Sequence, residues 1–304
     1  MTAKKRAPVP VDLAVLLDSW LLALRSERKS DKTVKVYGDG VRMFLRWCGR
    51  TGTPPELTKS TVQAFVVALL EDGAEPATAR SRQLSLKRFS AWLAAEGEID
   101  DDELVGLRPP KIDVKIADPL TGDELRALIK ACQGKTMRDR RDEAIIRLMA
   151  ETGARAGEVA NLQVTDVDLT RGIAVVRRGK GGKGRIVPIS AQTASAIDRY
   201  QRLRRAHLLA DTTALWLGDR GKTFSYHAMH RSLGYRAKVA GIERFHPHLL
   251  RHTAASRWLA AGGSEGGLMA VAGWTTREML DRYVAATASE RAATEARGLN
   301  LGDL

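Results

Sequence analysis

The chain has 304 residues, with 49 Lys and Arg against 36 Asp and Glu, for a formal net charge of +13. Hydrophobic side chains make up 44%, which excludes wholesale disorder, and the length suits two domains better than one core. Two cysteines, Cys48 and Cys132, are too few for a disulfide framework or a multi-cysteine zinc site, and the basic opening MTAKKRAPVP lacks the apolar core of a signal peptide. No apolar run is long enough to cross a bilayer, so a reducing cytosol is expected. A positive excess of this size points to a polyanionic partner, nucleic acid before a membrane surface.

Residues 1–10 read as a flexible basic start and residues 11–98 as a small all-helical domain. Leu13, Leu16, Leu17, Trp20, Leu21 and Leu24 form one apolar stripe at helical spacing. A second stripe, Val34, Tyr37, Val41, Phe44, Leu45 and Cys48, follows a Ser30/Asp31 start signal and leaves Lys35, Arg42 and Arg46 on its far side. A third helix covers about residues 58–70 and ends before Gly73. The fourth starts near Pro76, buries Leu86, Phe89 and Leu93, and turns Arg80, Gln83 and Lys87 outward. These outward residues are candidate DNA contacts, although a solvated helix exterior has the same composition. Six of the eight residues 96–103 are acidic and Pro109-Pro110 follows, so residues 99–117 read as an exposed, extended linker.

Residues 118–288 read as a second domain of mixed structure. Thr121-Gly-Asp-Glu124 has the form of a capping box, and Ala144, Ile145, Leu148 and Met149 mark a helix that stops at Gly153. The β-branched segments 172–178 and 185–190 flank GKGGKG, predicting a hairpin with Lys180 and Lys183 at its tip. The loop is not a P-loop, because Arg185-Ile186 stands where such a loop needs Lys and then Ser or Thr. Lys183 and Arg185 join Lys180 as candidate contacts to a phosphate backbone. His246, His248 and His252 lack a Cys or acid at zinc-ligand spacing, and Arg251 among them would repel a metal. With a helix opening at Pro247, His248 and Arg251 share one face, which suits gripping a phosphate while moving a proton.

Taken in order, these segments resemble the tyrosine recombinases of the phage-integrase family. TGARAGEVANL (residues 152–162) resembles the family's first arginine box and HPHLLRHTAAS (246–256) its H-x-x-R-H box. GKGGKGR is similar to the hairpin lysine element, and AGWTTREMLDRYV (272–284) to the C-terminal tyrosine element. The likeness spans roughly residues 120–285, and the helical first hundred residues resemble the core-site DNA-binding domain. The implied fold is therefore mainly α with a small antiparallel sheet: an all-helical DNA-binding domain followed by a mixed α+β catalytic domain.

The resemblance implies that Tyr283 attacks a DNA phosphodiester to form a 3′-phosphotyrosine, needing neither ATP nor a metal. Arg155 and Arg251 would hold the non-bridging oxygens, Lys180 would protonate the departing 5′ oxygen, and His248 would assist at the tyrosine oxygen. Glu158 would orient the arginines. His252 matches the pattern, with a packing role weighed equally against a catalytic one. Trp274 stands where many relatives have His; an indole cannot shuttle a proton, so it is assigned to positioning. A Thr275/Glu278 capping box is expected to open the Tyr283 helix.

The implied partners are double-stranded core sites, a homotetramer on two duplexes and a directionality factor, with no membrane, in the bacterial cytoplasm. Residues 289–304 are implied to be a tail exchanged between protomers. With the first domain starting near Leu13, no arm-binding domain is expected. Phage or mobile-element integration is the favoured biology, over Xer-type dimer resolution, type IB topoisomerase-like relaxation and DNA binding without catalysis.

Overall fold

The structure is a computed structural model that describes residues 12–112, 118–177, 184–219, 221–281 and 283–284. The chain divides into two compact units, residues 1–114 and 115–304.

The first unit is built from α1 (Leu13–Ser26), α2 (Asp31–Thr51), α3 (Lys59–Glu71) and α4 (Pro76–Ala95). Each start has a local cause: Asp12, Ser30 and Thr58 accept backbone N–H groups at the first three N-termini, and Pro76 opens the fourth. The predicted stripes face inward around Trp20, Phe44, Phe65, Leu86, Phe89 and Leu93. Trp20 stacks on Tyr37 at 5.9 Å, and Phe44 meets Phe65 edge-on at 5.5 Å. Helices α2 and α4 approach closely at Gly40, where an added Cβ would lie 2.5 Å from Ser85 Cβ.

Two expectations for this unit need correction. Residues 99–107 are not a free linker: Leu104 and Leu107 are buried in the first core, and Asp102 accepts from Ser90 Oγ at 2.5 Å and from the Leu104 amide at 3.0 Å. The run of acids that suggested an extended tether is flanked by Ile99, Leu104 and Leu107, which turn inward. Gln83 is only 2% exposed and donates to the Arg108 carbonyl at 3.0 Å, while Lys87 donates to the Leu107 carbonyl at 3.1 Å. Gln83 lies about 60° around the axis from Leu86, at the margin of the apolar face, so it is covered by the returning chain. Lys35, Arg42, Arg46 and Arg80 are exposed, as expected.

The second unit contains α5 (Gly122–Lys130), α6 (Met137–Thr152), α7 (Ala156–Ala160), β1 (Val167–Asp168), β2 (Ile173–Val176), β3 (Arg185–Pro188), α8 (Ala191–Arg204), α9 (Tyr226–Val239), α10 (Pro247–Ala260) and α11 (Glu265–Ala272). The Thr121/Glu124 capping box forms with both hydrogen bonds, and Gly153 ends α6 at φ 62°. The strands make an antiparallel sheet in the order β1-β2-β3, pairing Ile173 with Pro188 and Val176 with Arg185. Strand β1 had no counterpart among the predicted elements. Helix α6 runs through the core with Leu128, Ile197, Tyr200, Trp216, Leu249 and Leu250. Among the described residues, no helix is long and apolar enough to cross a membrane.

Candidate active site

The site is assembled at the C-terminal end of α6, the start of α7, the first turns of α10 and the segment after α11. Gly153 adopts a left-handed conformation that turns the chain out of α6 and into Arg155, the residue that caps α7. The Arg155 amide donates to Glu158 Oε2, and its Nη1 to Glu158 Oε1, both at 2.9 Å. This fixes the guanidinium one turn from its carboxylate, the relation expected for these two residues.

Pro247 starts α10, and His248, Arg251 and His252 follow on one side of it. Arg251 is 3% exposed; its Nη1 donates to the Gly153 carbonyl at 2.6 Å and to the Ala272 carbonyl at 2.8 Å. Burial, reinforced by the neighbouring Arg155 cation, lowers its pKa to about 10, so it stays charged at neutral pH. His248 keeps a solvent-open edge, yet its pKa is lowered by the protein around it and then by Arg251, His246 and Arg155. The neighbouring cations and the desolvation act in the same direction, so its imidazole is neutral at pH 7.

Residues 277–281 and 283–284 are helical, starting one residue later than a Thr275 cap implies, with Thr276 in the capping place. Tyr283 packs with Ala255, Leu259, Leu268, Ala272, Trp274 and Leu280, its ring stacked on Trp274 at 5.0 Å and 17°. Its hydroxyl lies 2.6 Å from His252 Nδ1. The imidazole at the tyrosine oxygen is therefore that of His252, where sequence reasoning placed His248; His248 sits edge-on to His252, ring centres 4.8 Å apart. Periodicity could not separate them, because both occupy the same face of α10. Trp274 also lies under the Arg251 guanidinium at 5.3 Å.

Arg185 differs from its expected place on a DNA-facing surface. Its Nη1 and Nη2 donate to Glu158 at 3.1 and 2.7 Å, its Nε donates to the Val271 carbonyl at 2.8 Å, and its side chain is 12% exposed. Burial opposes ionisation of Glu158, but hydrogen bonds from Arg185 and from the Arg155 amide outweigh it and lower its pKa. Lys180 and Lys183 lie outside the described residues, as does the tail expected to be exchanged. Among the described residues, no group of three or more His, Cys, Asp or Glu is placed to hold a metal ion.

Residues 119–290 match the phage integrase family, and residues 16–96 match the N-terminal SAM-like domain of phage integrases. Tyrosine recombinase XerC 2 of Ralstonia nicotianae is 31% identical over 284 residues, covering 89% of this chain and 82% of the relative. Tyrosine recombinase XerC of Corynebacterium efficiens is 32% identical over 238 residues, covering 77% and 74%. The crystal structure of a lambda integrase dimer bound to a COC′ core site superposes with a TM-score of 0.70 at 20% identity, over 89% of this chain and 76% of that one, a likeness of fold. With its tyrosine, arginine and histidine boxes gathered in one site, the chain belongs to the phage integrase family of tyrosine recombinases, enzymes that cut and rejoin DNA strands.

Proposed function

We propose that this chain recombines DNA at specific core sites, cutting one strand at a time through a 3′-phosphotyrosine. The Tyr283 oxygen attacks phosphorus; the Tyr–O–P bond forms as the bond to the 5′ oxygen breaks. The phenolic proton passes to His252, and Lys180 supplies the proton that the departing 5′ oxygen takes up. Arg155 and Arg251 hold the non-bridging oxygens, where their planar forks match the charge building on the phosphate. His248 adds a hydrogen bond to the same group, and Trp274 holds the Tyr283 ring by stacking. In rejoining, a 5′-hydroxyl from the other duplex attacks the phosphotyrosine and displaces Tyr283, so the ester bond energy is retained and no nucleotide is consumed.

The observation that carries this reading is the tyrosine hydroxyl held 2.6 Å from a histidine on the helix that also bears the buried Arg251. The test is a nicked suicide duplex incubated with the protein in EDTA. The unchanged protein should form a covalent protein–DNA adduct and Tyr283→Phe should form none; an adduct that survives the Phe substitution refutes the assignment.

The partners on this reading are duplex core sites and three further copies of the chain, with a directionality factor if the biology is integration. An assembly of four is supported by the solved lambda integrase tetramer bound to a Holliday junction. Xer-type dimer resolution is the second reading, favoured by relatives that carry the names XerC and XerD. Sequencing the DNA trapped on the protein in cells separates them: adducts at the ends of a mobile element support integration, and adducts at one chromosomal site support resolution.

A further inference from the structure

The approach to Trp274 and Tyr283 is held in an unusual way. The three consecutive carbonyls of Val271, Ala272 and Gly273, at the C-terminal end of α11, each accept from a different arginine. Arg185 reaches the first from β3 at 2.8 Å, Arg251 the second from α10 at 2.8 Å, and Arg155 the third from the start of α7 at 3.3 Å. Two of these are the arginines assigned to the phosphate. The third, Arg185, also forks onto Glu158, the carboxylate that fixes Arg155. Gly273 lies directly against it: at φ 65°, an added Cβ would be 2.9 Å from Arg185 Cζ.

We propose that Arg185 is a positioning residue for strand transfer, locking Glu158 and the end of α11 together so that Arg155, Arg251 and Tyr283 address one phosphate. This rests on the recombinase reading above. Its guanidinium is used on Glu158 and Val271 and its side chain is almost covered, so it is poorly placed to read a DNA backbone. A cation at a helix C-terminus is stabilised by the helix dipole, and the Glu158 fork fixes its orientation. Without it, the hydrogen bonds among the described residues that tie the Arg155 region to the end of α11 are those of Arg155 and Arg251, the two arginines that must also receive the phosphate.

The test is single-turnover adduct formation on the nicked suicide duplex by Arg185→Gln, Arg185→Lys, Glu158→Gln and the double Gln variant, with melting followed in parallel. Misplacement of reacting groups by about an ångström costs on the order of 100-fold. Arg185→Gln should therefore slow cleavage at saturating DNA by roughly that factor, with DNA affinity within about threefold and an unchanged salt dependence of binding. Arg185→Lys, which keeps the charge without the fork, should recover part of the rate. The double variant should be no slower than the slower single one, because both changes break the same link. The acid limb of the rate should move up in Arg185→Gln, as Glu158 loses the donors that lower its pKa.

Loss of affinity with a salt slope smaller by about one and an intact saturated rate would identify a direct phosphate contact and overturn the proposal. So would a slower rate that only follows a lower melting temperature, with the acid limb unmoved. If the unchanged protein forms a Tyr283-linked adduct and the Arg185 variants match it, this proposal alone fails; if it forms none, the recombinase reading fails first.

Discussion

The largest stability effect we predict for the second unit lies away from the active site, at Asp142. Its carboxylate is wholly buried and accepts four hydrogen bonds: two from Arg141 on Oδ1, and one each from Ser232 Oγ and Arg236 Nε on Oδ2, all at 2.8–3.1 Å. Arg141 is 1% exposed, with its guanidinium 3.8 Å from the Phe224 ring, so neither it nor Asp142 has water to fall back on. Asp142→Ala takes the nearest carboxylate from two buried cations, leaving Arg141 with the Leu217 carbonyl at 2.9 Å and Asp219 at 3.5 Å and Arg236 with Asp139, for which the expected cost is about 3–5 kcal/mol. In a unit of this size, each kcal/mol lowers the melting temperature by about 2–4 °C, so the fall should be roughly 6–20 °C. Asp142→Asn keeps one acceptor oxygen and should fall in between. Converting Arg141 to Met together with Asp142 to Leu should recover part of the loss, because the most buried cation then has no partner to miss. The assay is differential scanning calorimetry of the full chain. If Asp142→Ala melts within about 2 °C of the unchanged protein, the paired ions hold each other no better than water holds them, and this account of the α6–α9 contact is wrong.

Two further expectations concern packing and pH. In the first unit, Gly40→Ala gains about 1 kcal/mol of helix propensity but forces α2 from α4 at Ser85, for a net loss of roughly 1–2 kcal/mol; adding Ser85→Gly should restore the urea midpoint, and failure to do so would deny the close approach. His248 has a pKa below the ordinary 6.5, so the unfolded chain binds its proton first. Its contribution to stability is therefore present above about pH 6.5 and lost as pH falls through that value toward the folded pKa. A histidine NMR titration that places His248 at or above 6.5 would contradict the cationic surroundings assigned to it.

The features legible in the sequence are those a segment carries by itself. The apolar stripes of α1 and α2, the Thr121 capping box, the Gly153 stop and the β2–β3 hairpin depend on residues within a few positions of one another, and each forms. The misplaced features depend on what another part of the chain brings. Gln83, at the margin of its helix's apolar face, reads as exposed until residues 107–108 return over it. Arg185 reads as one more basic residue beside a lysine loop until Val271, 86 positions away, offers its carbonyl. His252 and His248 are equivalent until the Tyr283 helix folds back and chooses between them.

The same distinction changes the meaning of the net charge. Residues 116–304 carry 30 basic and 20 acidic side chains, which suggests a strongly cationic surface. Yet Arg141, Arg204, Arg236 and Arg251 are all buried. Arg204 makes five hydrogen bonds to carbonyls of residues 210, 212, 214 and 215, so its charge serves to close a loop. Arg141 and Arg236 are spent on Asp142 and Asp139, and Arg185 on Glu158. The cations at the described site that remain suited to a scissile phosphate are Arg155 and Arg251, and both are fixed by backbone carbonyls next to the nucleophile's segment. On the proposed reading, affinity for DNA and catalysis of its cleavage rest on different arginines. Salt should weaken the first steeply, whereas the preorganised, largely desolvated pair should keep its effect on the saturated cleavage rate.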